Sequence, residues 1–422
     1  MNKLVVIVAV LGVVASAAQA QEQPKKPSVC KGGVCTEGNE TPAEKPSVDT
    51  EAGTGLAYRS PTDTVVLYGL LDITLSSQSN ANANLDTRVG YQTSWFSGDR
   101  WGVWGKHVVG DDKFGVIFRL ESEYVLNTGE MDTPNVLFNR DAWIGFEGNT
   151  FGKLTFGRQN TVARDFSQNY GDPYGSAGVR FDEGGWTNTN NFKQLIYYAG
   201  SVTGTRMDNG VVYKNLLFDH LMVGLGYQFG EVPGAFNRNT TASAALGWNS
   251  DLFNISGYFT HANLNEAQEN GFSIGGNVIL TSMLRLNAGY FNYQSTQGAQ
   301  SAATGTWSLP DRQDHAFTVS AKIAPTRSAD FEIGFQQLRS TNAAYSSKGF
   351  TLRPFQDDPT GSKTVGTGSK RTLYGSIFYH MSRRAEVYVA ADKMWLLDGY
   401  KLAVTNGFRN QTEVATGIRF RF

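Results

Sequence analysis

After its first fourteen residues the chain has no apolar run near the ~20 residues that a membrane-spanning helix needs. Cysteine is nearly absent. The two that occur, Cys30 and Cys35, both precede residue 40, so no disulfide framework holds the bulk of the chain. Neither sign of charge dominates: 37 Lys and Arg stand against 38 Asp and Glu. That balance argues against a nucleic-acid partner. Proline is scarce, with twelve in 422 residues. The five histidines, His107, His220, His261, His315 and His380, are scattered, and none sits in a hydrolase or zinc-protease motif.

What is present divides into three zones. Lys3, an apolar run from Leu4 to Val14 and Ala18-Gln19-Ala20 read as a secretory signal over residues 1–20, with Gln21 as the expected mature start. Residues 21–62 are rich in Pro, Lys, Glu, Thr and Gly and nearly devoid of large apolar side chains. Such a segment buries too little surface to order itself, which predicts a flexible periplasmic tail. Cys30 and Cys35 lie in it as Cys-Lys-Gly-Gly-Val-Cys, and an oxidising periplasm makes a small local disulfide the expected state. A metal site normally needs four ligands, and no histidine is near.

From Thr64 onward the apolar period is two. Val65, Leu67, Leu71 and Ile73 share one parity, while Tyr68 and Asp72 share the other. Phe114, Val116, Phe118 and Leu120 oppose Arg119, Glu121 and Glu123. Charged residues on the second parity would be foreign to a sandwich core. They suit a barrel with a watery lumen and a lipid-facing exterior. The chain supports sixteen such segments, the first near 65–76 and the last near 412–422. Tight connections alternate with long ones at 77–98, 160–208, 295–312, 340–369 and 396–411. The fold class predicted is an all-β, sixteen-stranded antiparallel transmembrane barrel over 63–422, with short periplasmic turns and long external loops. Phe114, Trp248, Phe253, Tyr379 and Phe422 near short turns, and Tyr124, Tyr227, Phe229 and Phe259 near long loops, mark two aromatic girdles.

At this point the chain resembles the general porins of Gram-negative outer membranes, the beta-proteobacterial branch above all. The opening strand Leu67-Tyr68-Gly69-Leu70-Leu71-Asp72 carries the likeness, as do Arg100 through Gly105 and Phe114 through Gly129. Leu137-Phe138-Asn139-Arg140 through Gly157-Arg158-Gln159 is the most specific match, and the end Gly417-Ile418-Arg419-Phe420-Arg421-Phe422 closes it. The tail before residue 63 is not usual for the family, and loop 160–208 lacks the acidic glycine-rich signature of some members.

The resemblance implies a homotrimer that meets outer-membrane lipid and lipopolysaccharide, is inserted by the barrel-assembly machinery and passes small hydrophilic solutes and ions. It implies no cofactor. It makes the terminal Phe422 an assembly signal and folds the loop after the fifth strand inward to narrow the pore. That loop holds Asp165, Asp172, Asp182 and Glu183 beside Arg164 and Arg180. Arg100, Lys106, Arg119, Glu121 and Arg140 are the expected facing wall. The inner parity leans basic, through Arg100, Lys106, Arg119, Arg140, Lys214, Arg285, Lys322, Arg419 and Arg421. Against them stand Asp72, Glu121, Glu123, Glu332 and Asp392, which predicts a mild anion preference. A substrate-selective channel, a barrel enzyme and a plugged structural or adhesive barrel are the alternative readings.

Overall fold

The structure, a computed structural model, describes residues 56–93, 95–96, 98–109, 114–171, 201–264, 267–298, 301–346, 349–350, 364–382, 384–399 and 409–422, with the backbone at 30–31 and 34–35. The chain separates into two units, 1–46 and 47–422. In the first, Cys30–Lys31 pairs antiparallel with Val34–Cys35, and Cys30 stands opposite Cys35. The Cys30–Cys35 bridge itself lies outside the described residues.

The second unit is a closed antiparallel barrel of sixteen principal strands. They are β1 (Asp63–Gln78), β2 (Asp99–Val108), β3 (Phe114–Val125), β4 (Asp141–Gly148) and β5 (Gly152–Asn160). After the longest loop come β6 (Arg206–Leu217), β7 (Leu221–Gln228), β8 (Thr240–Asn249), β9 (Phe253–Leu264), β10 (Ala267–Thr281) and β11 (Leu284–Ser295). The circuit ends with β12 (Arg312–Thr326), β13 (Ala329–Ser346), β14 (Val365–His380), β15 (Ala385–Asp398) and β16 (Asn410–Arg421). Each strand pairs with the next, and β16 returns to β1 from Glu413↔Gln78 to Arg421↔Leu70. Closure matters because hydrocarbon offers no partner for an open sheet edge.

The period of two decides which side chains meet lipid. Leu67, Ile144, Phe156, Leu246, Ile255, Ile274, Ile333 and Ile377 are exposed on the outside. Asp72, Thr74, Glu121, Thr260, Ser273, Gln336 and Thr372 are buried on the inner parity. Near the short turns, Phe114 stacks on Phe146 at 5.6 Å and meets Phe151 at 6.0 Å, and Phe151 meets Tyr213 at 6.1 Å. Near the long loops, Tyr227 and Phe236 stack at 5.9 Å. These rings form the two girdles.

Just before β4, Arg140 N–H donates to the Glu121 carbonyl at 3.2 Å. Residues 56–59, assigned above to the flexible tail, form a strand that pairs with β1 from Leu56↔Leu67 to Arg59↔Thr64. The physical reason is edge satisfaction. The β16 ladder stops at Leu70, and Phe422 then exchanges two backbone bonds with Gly69, each 3.0 Å. Below that level β1 has no other partner on this side among the described residues, and residues 56–59 supply one. We expect removal of residues 21–55 to leave thermal stability and conductance unchanged. Removal through residue 60 uncovers the edge and should lower the heat-unfolding temperature of the barrel. Equal unfolding temperatures for the two truncations would contradict this assignment.

Candidate functional site

The loop after β5 enters the barrel as a helix, α1 (Val162–Gly171). Thr161 caps it: its Oγ1 accepts the Arg164 N–H at 3.1 Å, and its carbonyl accepts the Asp165 N–H at 3.1 Å. Asp165 in the first turn suits the positive end of the helix dipole. Val162, Ala163, Phe166 and Tyr170 form one buried face, at the spacing of a helical stripe. That face packs on the inner wall of β7 to β11, across the lumen from β1.

Glycines on that wall make the seat. A Cβ on Gly224 would fall 2.5 Å from the Phe166 ring. One on Gly275 or Gly289 would fall 2.4 Å or 2.3 Å from the Tyr170 ring. Gly275 and Gly289 face each other across the β10–β11 ladder, so together they leave a flat socket. Two polar contacts fix the depth: Ser256 donates to the Phe166 carbonyl at 2.6 Å, and the Tyr170 hydroxyl meets Ser273 Oγ at 3.0 Å.

Beside the helix root, β2, β3, β4 and β6 bring arginines and carboxylates together. Glu121 lies at the centre, 1% exposed. It accepts from the Tyr68 hydroxyl at 2.8 Å, from Arg119 at 2.5 Å and from Arg140, and Arg100 stands 3.8 Å away. Arg140 also donates to Glu123, so one guanidinium forks two carboxylates. Arg119 reaches Asp141 at 3.2 Å, and Arg206 lies 3.7 Å from the same carboxylate. Arg164, on α1, donates to Thr205 at 3.4 Å and brings a fifth guanidinium to this side of the lumen. Arg100, Arg119, Arg140, Arg206 and Arg164 thus gather around Glu121, Glu123 and Asp141 on this stretch of wall.

The other sequence candidates fall elsewhere. Lys106 lies nearer the periplasmic end of β2 and pairs with Glu147 at 3.0 Å. Asp165 pairs with Lys214 of β6 and accepts from Asn160 at 3.1 Å. It is therefore held against its own side of the barrel, not across a gap from the arginines. Asp172, Asp182 and Glu183 lie outside the described residues. Toward the periplasmic ends of β12 to β16, Lys322 meets Asp330 at 3.2 Å, and Arg419 and Arg421 meet Glu386. His380 lies 2.8 Å from both Asp330 and Glu386. Those wall bases are matched locally by acids. Arg206 escaped the sequence reading because β6 was expected to start at 209. Its register with Asn160 across a β-bulge in β5 was the missing signal.

No group of three or more His, Cys, Asp or Glu is arranged to hold a metal among the described residues. Each histidine is bonded to a local partner on a different strand. Ser273 sits in a Gly-Phe-Ser-Ile-Gly stretch, but in mid-strand and bonded to the Tyr290 carbonyl at 2.9 Å. It lacks the strand-to-helix turn that exposes a nucleophile.

A family profile described as Gram-negative porin matches residues 7–394. An outer membrane porin protein of Bordetella pertussis is 29% identical over 180 residues, which is 39% of this chain and 42% of that protein. The alignment thus spans less than half of that relative. Among solved structures, the anion-selective porin from Comamonas acidovorans superposes with a TM-score of 0.64 at 16% identity, over 85% of this chain and 100% of that one. The outer membrane protein OmpT of Vibrio cholerae gives 0.58 at 15% identity, over 87% and 99%. At such identities the superpositions speak for the fold.

Proposed function

Since this chain belongs to the Gram-negative porin family and forms an outer-membrane barrel, we propose that it is a diffusion channel with a mild preference for small anions. One observation carries the reading: the inward helix α1 starts beside the arginine-rich cluster around Glu121 in a polar lumen. Rings of fixed charge at a narrow section set which ions enter. The Comamonas structure similar to this fold is itself an anion-selective porin, which supports the sign.

The magnitude is modest. A unit charge acting on an ion ~9 Å away through water contributes about 0.5 kcal/mol. A net excess of two such charges would favour anions by roughly 1 kcal/mol, or about fivefold. The Debye length of ~10 Å at 0.1 M is comparable with that distance, so the preference fades toward 1 M salt. Replacing Arg100 and Arg140 with glutamine should move the zero-current potential in a salt gradient toward cations. An unchanged potential in the folded variant would remove the cluster from the permeation path.

We also propose a homotrimeric assembly in contact with lipopolysaccharide, with Phe422 read during insertion. The Phe422 ring covers Gly69, where a Cβ would come within 2.4 Å of it, and stacks 6.5 Å from Phe420. The C-terminal side chain therefore belongs to the lipid-facing seam itself. Phe422→Asp should cut the heat-modifiable barrel recovered from outer membranes several-fold, about tenfold if the end is an obligatory signal. Wild-type recovery would show that insertion does not read this residue.

A further inference from the structure

The loop after β1 contains an excursion into the lumen. Residues 88–93 continue the sheet beside β1, from Ile73↔Thr93 to Gln78↔Arg88, and β2 takes over that edge from Leu70↔Arg100 downward. At Trp95 and Phe96 the chain is out of the ladder. Its direction is fixed by its partners: Trp95 N–H donates to Thr74 Oγ1 at 3.0 Å, and Phe96 N–H to Asp72 Oδ2 at 3.3 Å. Thr74 and Asp72 are inner-parity side chains, so Trp95 and Phe96 lie on the lumen side of the wall.

Both rings are fully buried there. Phe96 lies 4.6 Å from Phe378 of β14 and 4.7 Å, edge-on, from Tyr388 of β15. The Arg419 guanidinium sits 5.7 Å over Phe96 and 5.3 Å over Phe378. Tyr388 is anchored in turn, donating to Asp72 at 2.6 Å and sharing a 2.5 Å bond with Thr74. Gly417 lets Tyr388 lie flat across β16, since a Cβ there would come within 2.3 Å of its hydroxyl. With Tyr374, Ala390 and Ala415, these residues form a packed second layer inside β14 to β16 and β1. In a circuit of sixteen strands that arc lies across the lumen from the β7 to β11 arc that carries α1.

We propose that the Trp95–Phe96 excursion is the second jaw of the constriction and, with α1, sets the solute size limit. The inference rests on the reading of the barrel as a channel. A lumen narrowed by one inward loop is bounded on its far side by bare wall. Here that wall is thickened by two large aromatic side chains, held by backbone bonds and ring contacts. A jaw built this way is rigid, so it acts as a fixed filter. The arginine cluster of β2 to β4 and β6 lies between the two jaws.

The test is a double variant, Trp95→Gly with Phe96→Gly, reconstituted as the full barrel. Single-channel conductance in planar bilayers should rise about 1.5-fold, because conductance follows the narrowest section. Swelling of proteoliposomes should extend to larger neutral sugars. A folded double variant with wild-type conductance and wild-type sugar cutoff would overturn the proposal and leave the excursion a packing element. Should the double variant fail to fold, Phe96→Leu keeps an apolar side chain in the cluster and carries the same expectation with a smaller rise; unchanged conductance there overturns it equally. Absence of salt-proportional conductance in the wild type would instead defeat the channel reading itself, so the two failures are separate.

Discussion

Glu121→Gln should destabilise the barrel by about 3–5 kcal/mol and strengthen its anion preference, although the side chain keeps its shape. Glu121 is buried between Arg119 and Arg140, with Arg100 3.8 Å away and the Tyr68 hydroxyl bonded to it. Desolvated guanidiniums are tolerable only while a carboxylate faces them. An amide oxygen accepts hydrogen bonds but supplies no countercharge, so the arginines then repel one another across the site. Asp141 and Glu123 cannot replace it, since each is already engaged by Arg119 or Arg140. Two measurements read the result: the urea midpoint of the micelle-folded barrel, and the zero-current potential of what still folds. A wild-type midpoint would show that water reaches the cluster freely enough to screen it.

Gly289→Leu should cost the folded channel about half or more of its conductance, by driving α1 off its seat. A Cβ at residue 289 meets the Tyr170 ring at 2.3 Å, and the opposite wall residue Gly275 offers a Cβ position only 2.4 Å from the same ring. Either the wall is overpacked, at about 1–3 kcal/mol, or the helix moves toward the lumen axis. We expect the second course, because the sheet at Gly289 is fixed by ladders on both edges. Tyr170→Ala combined with Gly289→Leu removes the clash and should restore conductance, a non-additivity that separates displacement from general damage. Additive losses in the double variant would mean that the helix seat does not govern the pore.

The barrel was legible in the sequence because lipid and water impose opposite demands on alternate residues. Val65, Leu67, Ile73 against Tyr68, Asp72 already gives face, lumen and strand class. Arg100, Arg119, Glu121 and Arg140 could be placed on the inner parity for the same reason. Their partnership could not, because it depends on register across three ladders, as in Gly102↔Glu121 and Glu121↔Asp141. The seat of α1 was invisible for a different reason. Gly224, Gly275 and Gly289 have no side chain, so they carry no parity signal, and a glycine that admits a ring reads like one that relieves a bend. Trp95 and Phe96 looked like loop residues because an inward excursion breaks the period of two. Residues 56–59 were lost to composition: four residues between a glycine-rich and a Ser-Pro-Thr-Asp stretch are too few to register as a strand, and only the short reach of β16 gives them a task.

The central claim is that this barrel holds an open aqueous path narrowed from opposite sides. The most direct measurement is single-channel conductance in planar bilayers across potassium chloride concentrations from ~0.1 to 1 M, where screening lengths fall from ~10 to 3 Å. The account predicts discrete steps whose size grows in proportion to salt, with slight excess conductance at the low end and an anion-directed zero-current potential there. Conductance that saturates with salt and is inhibited by one solute, or no steps from correctly folded barrels, would contradict it.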